Sequence, residues 1–460
     1  MQELVDKVQC NIKITLSDGT EIDINNNISN QSNSNIKNFI TDISLDEKLN
    51  AQNNNPVGVV SSNTLKISLN SNDRSLFPDN KNSIYYGKMD NSARVYLTLI
   101  ENNEQITFNT FYVSNWTTSI TSSTPYRVII ECTDLLSIIC KNNIENIIIT
   151  DNLSTSDALI YILDRYNASI EDKYRVHYSP SDIKFANFNH IVLDNIDSEN
   201  IGSWFNILSQ STLTNLYIDR DDLFKTDNCL DDKASESVCT LSDKINITQA
   251  SVDSGGLVRY NGVKTNYIVN SLNGINEIVR MNGQSLKSGS NKINDINFNQ
   301  RVYKVTGVSL NVHNSISVDI TNFTYNQRRA NLELYNNSGD TTNVDIIISG
   351  QTFMENKLSI TKLNNSSSNE ILEVTNKLLS ADDVNIFASN LLKLCSLRNS
   401  SLSVTGFINP RIKLGDTVYV DLESSINTKG YYKVVGINMK IGNTLKTTLK
   451  LIKLILDEEA

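Results

Sequence analysis

Histidine is scarce in this chain: its 460 residues include three, His177, His190 and His313. They stand far apart, without Cys or acidic neighbours at ligand spacing, so no His/Cys metal site is expected. No nucleophile motif such as GxSxG accompanies them, which argues against Ser/His and Cys/His catalysis. Proline (5) and glycine (18) are also few, and no Gly/Ser-rich or Pro-rich stretch occurs; domains packed directly on one another follow. No apolar run has the length of a membrane span, and the opening MQELVDKVQCNIKITL lacks a secretory pattern. Synthesis in the cytosol without a signal peptide is expected. The cysteines Cys10, Cys132, Cys140, Cys229, Cys239 and Cys395 form no CxxC and sit in apolar contexts, so free buried thiols are expected; Cys229 and Cys239 are the one pair to check for a bridge. Positive charge is in deficit, with 41 Lys+Arg against 51 Asp+Glu and a net charge of -10. Phosphate binding wants the opposite sign, so a sequence-specific nucleic-acid reader is not expected.

What the chain has in plenty is Asn, roughly one residue in seven, together with Ile and Lys. These residues have AT-rich codons, and Asn also favours turns. The length is too great for one core and implies two to four domains. Ile12, Ile14 and Leu16 alternate with polar residues, Ser17 to Thr20 turn the chain, and Ile22 and Ile24 return, which describes a hairpin. Alternation resumes after the Asn-rich loops 25–35 and 50–55. Leu65, Ile67 and Leu69 form one strand and Val95, Leu97 and Leu99 a second. Ile106, Phe108, Thr110, Tyr112 and Trp116 form a third, and Tyr126, Val128 and Ile130 a fourth.

After Glu131 the period changes. Asp134 to Cys140 reads as a short apolar helix or buried strand, and Ser154 to Asp157 as a capping box opening a helix with Ala158, Leu159, Ile162, Leu163 and Tyr166 on one face. A second helix is expected over residues 200–210, followed by a hairpin over 215–224. Residues 231–350 are polar and β-rich, suggesting a sandwich or barrel. Ser380 to Asp383 caps the last helix, whose residues Val384, Phe387, Ala388, Leu391, Leu392 and Cys395 should pack on the terminal strands. In those strands Val418 and Val420, then Tyr432 and Val434, then Leu445, Thr447, Leu449 and Leu451 alternate with polar residues between turns at Gly415, Gly430 and Gly442.

Gly256 to Thr265 approaches a P-loop, but five residues separate its glycines and Val263 precedes the lysine, so a strand and turn are expected. Asp219-Arg220-Asp221-Asp222 and Asp231-Asp232 lack the spaced oxygens and glycine of a calcium loop. They read as solvated turns. Paired carboxylates for glycoside cleavage cannot be picked out among 51 acidic residues. No catalytic, cofactor-binding or metal-ligating residue is singled out, no cofactor is expected, and the chain is not expected to be an enzyme.

Two motifs carry a resemblance. Near the front, Asn72-Asp73-Arg74, Phe77-Pro78-Asp79-Asn80, Ser83 and Tyr85-Tyr86-Gly87 stand between two strands, with Phe108 to Trp116 downstream. At the end come Asn409-Pro410, Leu414-Gly415-Asp416, Val418, Val420 and Tyr431-Tyr432-Lys433-Val434-Val435-Gly436-Ile437. In this order, around a small α+β region, they resemble the phage tail and baseplate hub proteins of contractile or long-tailed phages, or of phage-derived R-type bacteriocin particles, of low-GC Gram-positive hosts. The usual glycine of the downstream strand is replaced in Phe108 to Trp116.

The resemblance implies a mainly β fold with a smaller α+β domain and two tube-like β-barrel domains. The domains would be 1–132 (N-terminal barrel), 133–230 (α+β), 231–375 (β-rich) and 376–460 (helix plus C-terminal barrel segment). It also implies a homotrimeric ring joining the tail tube to the central spike or tip. The partners would be the tube, spike or tip, tape measure and baseplate wedge proteins, with no membrane. The place would be a virion or tail-like particle assembled in the host cytoplasm. An acidic inner wall would repel a passing anionic polymer. The alternatives are a receptor-binding or fibre-adaptor baseplate protein and a hub-fused cell-wall hydrolase.

Overall fold

The computed structural model of the chain describes residues 9–27, 38–49, 58–101, 104–120, 126–144, 154–185, 200–230, 236–253, 260–313, 317–364, 370–379, 381–397, 401–422, 426–442 and 445–454. Outside them lie His190, Asp231, Asp232, the helix-opening Ser380, the Gly256 to Arg259 start of the P-loop-like stretch and most of both Asn-rich loops. The fold is mainly β with a smaller α+β part, as expected. It divides into two compact units, of which the second is Asn266–Ser359 among the described residues.

In the first unit, β1 (Gln9–Thr15) and β2 (Glu21–Asn27) form the opening hairpin, with Gly19 at φ +84° in its turn. A side chain would be strained there. Then come β3 (Asn38–Lys48), β4 (Thr64–Ser71), β5 (Arg94–Glu101), β6 (Glu104–Thr107), β7 (Phe111–Ser119) and β8 (Arg127–Asp134). The spatial order is β3-β4-β8-β7-β5-β1-β2. Alternate residues, among them Ile12, Ile14, Ile43, Leu45, Leu65, Ile67, Val95, Leu97, Val128 and Ile130, build one core. The sequence reading joins Ile106 to Trp116 in a single strand. The chain instead breaks at residues 108–110, between β6 and β7, where another segment docks.

The α+β part holds α1 (Leu135–Ile139), α2 (Thr155–Ser169), β9 (His177–Tyr178), α3 (Ile201–Thr212), β10 (Thr214–Ile218) and β11 (Leu223–Asn228). The Ser154 hydroxyl accepts from Asp157 N–H at 3.1 Å and donates to the Asp157 carboxylate at 2.6 Å, so both ends of the expected capping box are engaged. Asn200 caps α3, which buries Ile201, Trp204, Phe205 and Leu208 as its periodicity requires.

Next come β12 (Thr240–Ser242) and β13 (Ile247–Asp253). The second unit is built from most of β14 (Gly262–Leu286), β15 (Gly289–Asn297), β16 (Val302–Val312), β17 (Val318–Tyr325), β18 (Arg329–Asn336) and most of β19 (Thr342–Leu363). One sheet holds β16, β19 and β14 and another holds β15, β18 and β17. Both contribute to a core with Ile278, Leu286, Leu332, Leu334, Ile346 and Ile348.

The chain returns through β20 (Ile371–Asn376) and α4 (Ala381–Leu397) to β21 (Ser401–Gly406), β22 (Thr417–Leu422), β23 (Thr428–Ile441) and β24 (Leu445–Lys453). Helix α4 buries Val384, Phe387, Ala388, Leu391 and Leu394. Among the described residues none of them belongs to the core under the terminal strands, so the expected packing of this helix on the meander is not found there.

Strands β13, β21, β24, β23 and β22 repeat β3, β4, β8, β7 and β5. The repetition is legible in register. The β3–β4 ladder slips between Ile40 and Asp42, and the β13–β21 ladder between Ile247 and Gln249. The hydroxyl inside each bulge makes the same bond: Thr41 donates to the Ser68 carbonyl at 3.0 Å, and Thr248 to the Thr405 carbonyl at 3.0 Å. The β7–β8 ladder slips between Val113 and Asn115, and β23–β24 between Val434 and Gly436. Val95 faces Phe111 as Val418 faces Tyr432. Two shared bulges, a shared hydroxyl bond and a shared pairing are hard to reach by chance, because each bulge is a specific one-residue irregularity.

Candidate functional site: the joint between the two β modules

The two repeated modules share one sheet. Residues Gly436 to Ile441, the second half of β23, pair antiparallel with β3 from Lys48 to Ile43. The path runs β13-β21-β24-β23-β3-β4-β8-β7-β5-β1-β2. β23 needs its length for this: its first half pairs with β22 of its own module and its second half crosses to the other. Met439 and Ile441 are fully buried in the core of the first module rather than their own. Gly436 sits opposite Lys450 and Lys48, and a Cβ there would meet the Lys450 side chain at 3.3 Å.

The turn between β10 and β11 clamps this joint. Arg220 is buried and grips Glu47 of β3 through Nε (2.8 Å) and Nη2 (2.5 Å). Its Nη1 donates to the Pro410 carbonyl of the second module at 2.6 Å, and its guanidinium lies 4.6 Å from the Phe108 ring centre. Asp222, held at φ +58°, accepts from Thr110 N–H at 2.7 Å and Thr110 Oγ1 at 2.6 Å. Thus the break between β6 and β7 is the seat of this turn. Asp221 pairs with Lys413 at 3.0 Å, and Asp219 accepts the N–H groups of Asp221 and Leu223 while pairing with Lys225 at 2.8 Å. Next to it Lys433 of β23 reaches Asp227 of β11 at 2.5 Å.

The reading of Asp219 to Asp222 as a solvated turn is therefore corrected. All four side chains are engaged, and they tie the α+β part to both modules at once. A buried, bidentate Arg–carboxylate pair contributes little net stability, because desolvation offsets the attraction, but it fixes which surfaces meet. Sequence reasoning missed Glu47. The signal was its parity: Glu47 falls on the inward set with Ile43 and Leu45.

Burial raises the Asp222 carboxyl above its usual range, against two bonds from Thr110, and burial likewise raises Asp416 at the base of the clamp. Asp134, the N-cap of α1, is fully buried. Burial pushes its carboxyl up to about 7, and the Asp222 charge adds to this against the pull of the Asn63, Ser137 and Leu136 N–H groups. The folded chain thus holds this proton between about pH 4 and pH 7 while the unfolded chain has released it. The contribution of this carboxyl to stability, present below about pH 4, falls over that window by on the order of 4 kcal/mol. Asp134→Asn should remove this slope. The check is thermal melting at pH 4.5 and 7.5, where an unchanged difference in the variant would refute the assignment.

His177 lies in β9 and is exposed, and His313 meets Asp345 at 2.9 Å within the second unit. None of the six cysteines is in a disulfide, Cys229 and Cys239 included. No group of three His, Cys, Asp or Glu suited to a metal ion occurs among the described residues.

No protein-family model matches the sequence, and no curated protein matches it. Solved structures do resemble it. The 43 kDa tail protein of prophage MuSo2 from Shewanella oneidensis aligns with a TM-score of 0.50 at 10% identity, covering 96% of this chain and 98% of that one. A tail protein from Neisseria meningitidis MC58 gives 0.48 at 10% identity, covering 96% of each chain. The E. coli c3393 protein, a component of the type VI secretion system, gives 0.38 at 7% identity, covering 92% and 76%. At such identity the first likeness is one of fold, and this chain is built on the architecture of a prophage tail protein.

Proposed function

We propose that the chain is a structural hub of a phage tail or related contractile injection particle, three copies closing a ring that joins the tube to the central spike or tip. One observation carries this reading: a single sheet runs through two equivalent modules, and among the described residues its end strand β13 is paired on one side alone. Two like modules per chain turn a threefold ring into six similar positions, which suits a sixfold tube on one side and a threefold tip on the other. Unpaired strand edges are a liability that ring closure removes. The role is mechanical, without catalysis, and the partners are the tube and the spike or tip protein, with tape measure and wedge proteins nearby.

The face of the joint turned away from both cores carries Lys440 opposite Lys446, with Lys450, Lys48 and Lys66 nearby. Asp46 and Glu131 on it pair with Lys48 and Lys66.

Electron images of the assembled particle carrying a labelled copy of the chain test the proposal. The label should lie where the tube meets the tip. A label along the sheath would overturn the hub, and one on peripheral fibres would favour receptor binding.

A further inference from the structure

The joint inside the chain is a template for the joint between chains. We infer that the second half of β7 in one copy pairs antiparallel with β13 of the next, in the register that β23 and β3 use within the chain. This rests on the ring reading above and names its interface.

The argument is one of equivalence. β7 repeats β23 and β13 repeats β3. Where β23 crosses to β3, the matching stretch of β7 has no strand beside it among the described residues: β5 pairs only with Phe111 and Tyr112. Among the described residues β13 pairs with β21 alone, and no strand lies along its other side. One chain therefore presents both halves of a joint it has already made once. The bulges fix the alignment. Gly436 corresponds to Asn115, so Met439, Lys440 and Ile441 correspond to Thr118, Ser119 and Ile120. Leu45, Ser44 and Ile43 correspond to Val252, Ser251 and Ala250. Since Met439 faces Leu45, Lys440 faces Ser44 and Ile441 faces Ile43, the joint between copies sets Thr118 opposite Val252, Ser119 opposite Ser251 and Ile120 opposite Ala250.

Exposure agrees with this independently. Within the chain, Met439, Ile441, Leu45 and Ile43 are all buried to 1% or less. Their counterparts at the open ends include Ile120 at 65% and Val252 at 42% exposed, two large apolar side chains facing water at the two edges that the register brings together. Ile120 then enters the core of the neighbour's second module, as Ile441 enters that of the first. The occupant is a second copy, because the complement of each edge is the other edge of the same chain.

The test places cysteines at Ser119 and Ser251 of the full chain and oxidises them with copper phenanthroline and oxygen. S119C/S251C should give a covalent trimer on a non-reducing gel, reversed by reductant. S119C alone, S251C alone and the misregistered T118C/S251C, whose side chains point to opposite faces, should stay at one chain mass. If the unmodified chain is trimeric but S119C/S251C does not cross-link, or T118C/S251C links equally well, the joint is overturned and the ring survives. If the chain is monomeric, both fall.

Discussion

Arg220→Ala should destabilise the first unit by about 3–5 kcal/mol, the cost of leaving a buried carboxylate without its partner. Glu47 is 2% exposed, and the Pro410 carbonyl and the Phe108 ring lose their contact in the same step. Glu47→Ala strands the guanidinium instead and should cost a similar amount. The double variant Arg220→Met/Glu47→Leu removes both charges and fills similar volume, so it should melt above either single variant. Thermal and urea melts of the four proteins measure this. Single variants within 1 kcal/mol of the parent would mean that the pair is solvated and the clamp is not what holds the modules in register.

The second large effect is on assembly. Along β13, successive N–H groups point alternately to β21 and to the open edge. Of Ala250→Pro and Ser251→Pro, one therefore removes a bond of the fold and the other removes a bond of the joint. The first should melt early. The second should keep its secondary structure and fail to trimerise, since a lost strand bond and the clash of the ring cost roughly 1–3 kcal/mol at every joint. Sedimentation with circular dichroism separates them. Two folded variants that both assemble as the parent does would remove β13 from the interface.

Much of the fold was written in the sequence, because strand parity and helix caps are local. Ile12, Ile14, Ile22 and Ile24 declare their hairpin, and Ser154 and Asn200 open their helices. The break at Phe108 to Thr110 was hidden, since apolar and polar residues continue to alternate through it and only Asp222, 112 positions away, decides it. The packing of α4 was misjudged because an apolar face says that a helix is buried and not what covers it. The duplication was legible only as the two tube-like barrels that the resemblance implied. Val95-Tyr96 and Val418-Tyr419 are a faint echo, and the bulges that prove it come from hydrogen-bond register, which composition does not encode. The clamp needed residues 47, 108, 110, 220, 222 and 410 to be seen together, and no window along the chain contains them.

Native mass of the purified chain across a concentration series tests the central claim most directly. The account expects a species of three 51.5 kDa chains that persists on dilution, as a closed ring with no free edge should. A mass of one chain at the highest concentration would contradict it, and so would an open ladder of ever larger oligomers, because twin modules whose edges match close into a ring and stop.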